Sequence, residues 1–151
     1  MNRYFKILLL IVIVSFSDSE LVAQKNTDSK LAAQYYNNKE YDKAVIYYQK
    51  LFDKTNSPTY YIRLLNCFIE LEEFRNGERL VKRQLKRYTF ELHFYTDLGY
   101  LYEVSGQATK GKQAYEKGLK LLSANNQQII ELANGYLKYK ELDYAIETYK
   151  K

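Results

Sequence analysis

An all-α chain of stacked helix pairs is the fold this sequence predicts, and three observations predict it. Apolar and aromatic residues recur at helical spacing along nearly the whole chain. The same pattern returns at Leu31, Leu64, Leu98 and Leu132, with spacings of 33, 34 and 34 residues. The 151 residues include one Pro and six Gly, too few for a loop-rich β-sandwich, while 17 Tyr and 7 Phe are too many for a disordered chain.

Residues 1–23 stand apart from that pattern. Arg3 and Lys6 precede the unbroken apolar run Ile7–Val14, which is shorter than the roughly 20 residues a bilayer span needs. A polar stretch then leads to Ala23. This order predicts a secretory signal peptide cleaved after Ala23, the alternatives being an uncleaved anchor or a buried helix. The remainder, 24–151, is predicted to be a single repeat domain with copies at 25–57, 58–91, 92–125 and an incomplete 126–151.

Within each copy the aligned Leu is followed by Ala32, Leu65, Gly99 or Ala133, and then by an aromatic residue at Tyr35, Phe68, Tyr102 or Tyr136. Thirteen residues past the Leu comes a small residue: Ala44, Gly77, Gly111, Ala145. Four further on comes a large one: Tyr48, Val81, Tyr115, Tyr149. Short polar breaks at 37–39, 71–73, 105–107 and 138–140 split each copy into two amphipathic stretches. The predicted pairs are therefore 26–38 with 41–54, 58–71 with 74–88, 92–105 with 108–122, and 126–139 with 142–151. Small residues permit close helix approach, and each pair leaves an apolar face that only its neighbour can cover. Leu65, where the other copies have Ala or Gly, predicts a wider pair in the second copy.

This pattern resembles the tetratricopeptide repeat (TPR) family, most closely in the third copy: Tyr95-x2-Leu98-Gly99-x2-Tyr102, then Gly111-x3-Tyr115. The closing Pro of the family is absent from every copy, with Pro58 its only substitute, and Asp28 stands where a large residue is usual. The resemblance implies a right-handed α-α superhelix, a TPR solenoid of about three and a half repeats. It also implies that the first helix of each pair lines a concave face that holds a protein or peptide partner. The positions carried over to that face are Tyr36, Ile62, Asn66, Tyr100 and Asn134, with Ala33, Ile69, Glu70, His93, Thr96, Glu103, Gln127, Ile130 and Leu137 as neighbours. The family's clamp for a C-terminal carboxylate is not reproduced: Ser29, Ala33, His93 and Asp97 occupy its places, and only Asn66 agrees. The chain stops inside the second helix of the fourth pair, which predicts that further repeats or another domain follow.

No catalytic constellation is visible. The one His and one Cys exclude a zinc site of Cys or His type and a multi-His centre. No phosphate-binding, dinucleotide-binding, zincin or EF-hand motif occurs, so neither enzyme, cofactor nor metal is expected. Cys67 is expected in the core. Glu72-Glu73 falls at a helix break, where solvation is its expected role. The net charge is +5. Arg79, Lys82, Arg83, Lys86 and Arg87 follow i, i+3, i+4, i+7, i+8 and lie along one side of a helix. That stripe would meet an anionic envelope surface, or be a solvated face whose cations favour the helix C-terminus. It lacks the interleaved aromatics of a single-strand binder, so no nucleic acid is expected. The function predicted is an exported, periplasmic or envelope-associated scaffold for protein–protein interaction. The alternative is the extracytoplasmic sensor arm of a larger membrane signalling protein such as a histidine kinase.

Overall fold

The computed structural model describes residues 27–123 and 125–151. The leader predicted at 1–23 lies outside them. Among the described residues there is no strand, and the helices are α1 (27–37), α2 (Tyr41–Thr55), α3 (Pro58–Glu70), α4 (Phe74–Arg87), α5 (Phe94–Val104), α6 (Ala108–Leu121), α7 (Asn126–Lys138) and α8 (Leu142–Tyr149). The predicted α-α solenoid of helix pairs is the fold observed. The largest departure is at α5, which begins at Phe94 rather than residue 92. There the chain makes a tight turn, with the amide of Tyr95 bonded to the carbonyl of Leu92 at 2.9 Å. The turn drops the Leu92 side chain into the core, 4% exposed. Pro58 is the first residue of α3, where its missing N–H costs no hydrogen bond and its fixed φ suits the helix.

Each pair is closed by one recurring turn. Lys39, Glu72, Gly106 and Lys140 have φ of 61°, 56°, 77° and 65°, and they recur at the repeat period. In every copy the following amide reaches back to the carbonyl of the repeat's aromatic residue: Glu40 to Tyr35 (2.9 Å), Glu73 to Phe68 (2.8 Å), Gln107 to Tyr102 (2.8 Å) and Glu141 to Tyr136 (3.0 Å). This is the backbone-closed helix end that satisfies orphan carbonyls and needs a left-handed residue. Gly fills that position in one copy. The other three pay a side-chain penalty that Gly avoids.

The chain divides into two compact units, the first ending at Cys67 and the second spanning Phe68–Lys151, so the division falls inside α3. The core of the first unit holds Ala32, Ala44, Tyr48, Leu51, Phe52, Tyr61, Leu64, Leu65 and Cys67, all buried. The Cys67 side chain is fully buried. Asp28, the odd first-copy residue, is 8% exposed and paired with Lys50 at 2.7 Å.

In the second unit α5 packs on α4 and α6, α7 packs on α8, and α5 also meets α7. Leu92, Tyr115, Leu132, Tyr136 and Ala145 form one cluster of its core, with Tyr95, Leu122 and Tyr144 packed against them. Gly99 is the close-approach point. A Cβ there would lie 2.1 Å from the Tyr115 ring. Consecutive helices are joined by phenol hydroxyls. Tyr102 of α5 donates to Glu78 of α4 (2.7 Å), Tyr115 of α6 to Glu103 of α5 (2.9 Å), and Tyr136 of α7 to the carbonyl of Tyr115 in α6 (2.6 Å). Burial, and for Tyr115 the neighbouring Glu103, holds the Tyr115 and Tyr136 hydroxyls protonated well above the usual phenol range.

Candidate functional site

The residues expected to line the partner face sit on the first helices of the pairs. In the first unit Tyr36 is half-buried on α1, and Asn66 on α3 donates to its hydroxyl at 3.3 Å. The Tyr36 ring meets Tyr41 and Tyr48 edge-on, at 5.4 and 6.0 Å between centroids. The Arg63 guanidinium caps it at 4.6 Å. Ile62, one turn before Asn66, is 39% exposed. Tyr36, Ile62 and Asn66 therefore gather in one patch, and Arg63 completes it. Arg63 lies three residues from Asn66, on the same side of the helix, and that spacing is the signal in the sequence that points to it.

In the second unit Tyr100 does not stand free in a groove. Its ring stacks on Tyr139 at 4.2 Å with 14° between planes. Tyr139 donates to Asp97 at 2.6 Å, and the Lys138 ammonium meets the same carboxylate oxygen at 3.0 Å while lying 4.6 Å over the Tyr139 ring. Asp97 is 3% exposed. Desolvation, then the Asp97 charge, pushes the Tyr139 phenol well above its ordinary range, so Tyr139 remains a donor. A buried carboxylate is stable only when paired and hydrogen-bonded, and Lys138 and Tyr139 supply both. Asn134 is exposed on α7, on one stripe with Ile130 (48% exposed) and Leu137 (43%).

One groove assignment is corrected. Thr96 was expected to face a partner, yet it is fully buried. Its hydroxyl donates to the carbonyl of His93 at 2.7 Å, and its side chain packs against Gly135, where a Cβ would lie 2.6 Å from Thr96 Oγ1. Of the other neighbours, Ala33, Glu70, Glu103 and Gln127 are exposed, whereas Ile69 and His93 are half-buried. The His93 ring lies 4.2 Å from that of Phe94.

Copies two and four present the same pair at equivalent positions. Ile62 and Ile130 lie two residues before the aligned Leu; Asn66 and Asn134 lie two after it. In the third copy these places hold buried Thr96 and stacked Tyr100. An apolar side chain with an amide one turn on can take a partner's side chain and bond its backbone, since an amide both donates and accepts. All five basic residues of the α4 stripe are exposed. Lys82 pairs with Glu78 at 2.6 Å and Arg79 bonds to Asn76.

Helix pairs closed by one repeated turn, with small residues at the close-approach positions, define an α-α solenoid of TPR-like repeats. Among solved structures the chain is similar to a crystal structure of MamA, with a TM-score of 0.50 and 21% identity, covering 83% of this chain and 74% of that one. It is similar also to the MamA RS-1 ArsTM double mutant, with a TM-score of 0.50 and 15% identity, covering 83% and 71%. At such identity the likeness concerns the fold. No family model matches the chain, and no curated protein matches it.

Proposed function

We propose that this chain is a non-catalytic scaffold for protein–protein interaction, which holds a partner segment against the first helices of its pairs. The observation that supports this reading is the Ile62–Asn66 and Ile130–Asn134 repetition. A partner side chain would pack on each Ile, and each Asn would bond the partner backbone beside it. Solvent-exposed Ile adds little to folding stability, so its recurrence at equivalent places fits a contact surface. The setting we propose is the bacterial envelope, with residues 1–23 as the export signal.

Photo-crosslinking from residues placed at Ile62 and Ile130 tests the surface. The expected result is one captured protein whose yield collapses on joint Ala substitution of Asn66, Tyr100 and Asn134 in a chain that stays helical. Capture that is indifferent to those substitutions would remove the assignment. The setting is tested by the cell fraction and N-terminus of the native protein. A periplasmic species starting at Gln24 is expected, and a cytoplasmic one starting at Met1 refutes export.

A further inference from the structure

The positive charge is concentrated on two helices. α4 and α6 together hold ten Lys and Arg against two Glu, a balance of +8 in a chain whose net charge is +5. The two helices stand either side of α5, and a cleft of about 500 Å3 runs between them. Lys82 and Lys86 of α4 form one rail, Lys110 and Lys117 of α6 the other, and Tyr95 and Tyr102 of α5 lie in the floor. All four lysines are exposed. Among the described residues Lys82 alone of the four is ion-paired, with Glu78 at 2.6 Å. The cleft is on the far side of α5 from Tyr100, because two residues along a helix turn about 200°. It is therefore separate from the face proposed above.

Cations gathered over an apolar floor repel one another and raise the local positive potential, an arrangement that an anionic occupant relieves. We propose that this cleft docks an acidic polypeptide segment, its carboxylates on the lysine rails and an apolar side chain between them against Leu85 and Ala114, which also line it. Charge complementarity favours such an occupant, and the shape selects a polypeptide. A planar membrane would touch the ammoniums and leave the recessed floor empty. Nucleic acid is disfavoured because the Lys110 and Lys117 ammoniums already lie over the rings of Tyr102 and Tyr95, at 5.5 and 5.4 Å, leaving those faces closed to base stacking. From Tyr95 to Tyr102 the floor runs about 10 Å, which accommodates about two helical turns of the occupant.

The test is fluorescence anisotropy with the full chain and a labelled synthetic peptide of Glu and Leu, about 12 residues long, against the same peptide with Gln for every Glu. At about 0.1 M salt the Glu peptide is expected to bind at least ~10-fold more tightly than the Gln peptide, with the difference shrinking as salt rises. Joint substitution of Lys82→Gln, Lys86→Gln, Lys110→Gln and Lys117→Gln is expected to weaken it ~10-fold or more. Arg79→Gln with Arg87→Gln, on the same helix but outside the cleft, is expected to change it less than ~3-fold. If the fourfold variant loses its helical circular dichroism, the Lys110→Gln, Lys117→Gln pair takes its place with the same expectation. Equal binding of the two peptides overturns the proposal, as does an equal loss in the Arg79 and Arg87 variant. Tighter binding to phosphatidylglycerol vesicles than to the peptide, dependent on the same lysines, overturns it in favour of a lipid surface.

Discussion

Replacing Gly99 by Ala sets two opposed effects against each other, and the geometry decides between them. Ala is favoured over Gly in a helix interior by about 1 kcal/mol. The new Cβ, however, would lie 2.1, 2.3 and 2.7 Å from three carbons of the Tyr115 ring, where carbon atoms prefer about 3.5–4.0 Å. The ring would have to retreat by over 1 Å. It is 1% exposed, with Tyr136 and Tyr144 at 5.8 and 5.4 Å and its hydroxyl tied to Glu103. Overpacking costs about 1–3 kcal/mol, and losing the Glu103 bond adds about 1. The net expectation is a destabilisation of about 1–3 kcal/mol. Urea unfolding followed by circular dichroism should place the midpoint lower by roughly 1 M. In a Tyr115→Leu background the same change should cost markedly less, because the clashing ring is gone. A Gly99→Ala chain as stable as the parent, or more so, refutes the claim that α5 and α6 touch through this glycine.

The left-handed turn residues offer the opposite experiment: Lys39→Gly, Glu72→Gly and Lys140→Gly should each stabilise by about 0.5–1 kcal/mol, read as a raised urea midpoint. Tyr136→Phe removes the hydroxyl's bond to the Tyr115 carbonyl and should cost about 1 kcal/mol in the same assay. The Glu78 carboxyl is held below its ordinary 4.5, first by its hydrogen bond to Lys82 and then by that from Tyr102. Its contribution is thus complete above about pH 4.5 and lost as pH falls through the lowered value. Glu78→Gln should flatten the acid limb of the stability–pH profile measured by urea midpoint. Cys67 should react with a thiol reagent at the rate of unfolding in the native chain and immediately in denaturant, since its side chain is fully buried.

The repeat was readable because it rests on steric demands that fix residue size. Ala44, Gly77, Gly111 and Ala145 are all buried in the structure, and only small side chains permit helices to come that near. The turns were less readable. Their geometry is closed by main-chain bonds, so Lys, Glu and Gly occupy the same place, and no residue type announces it. Leu65 is fully buried in the first unit's core. The candidate faces were the least legible part. Asp97 meets Lys138 and Tyr139 across 41 and 42 residues, a pairing set by how α5 meets the end of α7. Thr96 and Asp97 illustrate the same limit: adjacent on the helix, both are buried, one against Gly135 and the other beneath a lysine and a phenol. The stacking of Tyr100 on Tyr139 is of the same kind, since the two residues lie on different helices and no local spacing announces it.

The phenol hydroxyls that join α4 to α5, α5 to α6 and α6 to α7 have a mechanical consequence. Apolar contact between helices is tolerant of sliding, because one greasy ridge substitutes for the next. A hydroxyl aimed at one carboxylate or one carbonyl is not, and a slip of a single turn would break it. Each of these three joints therefore resists shear along the helix axes. The same bonds sit near single points of contact and oppose tilting far less. A stack keyed in this way keeps its register under load while it flexes, as a hinged rule does and a stack of coins does not.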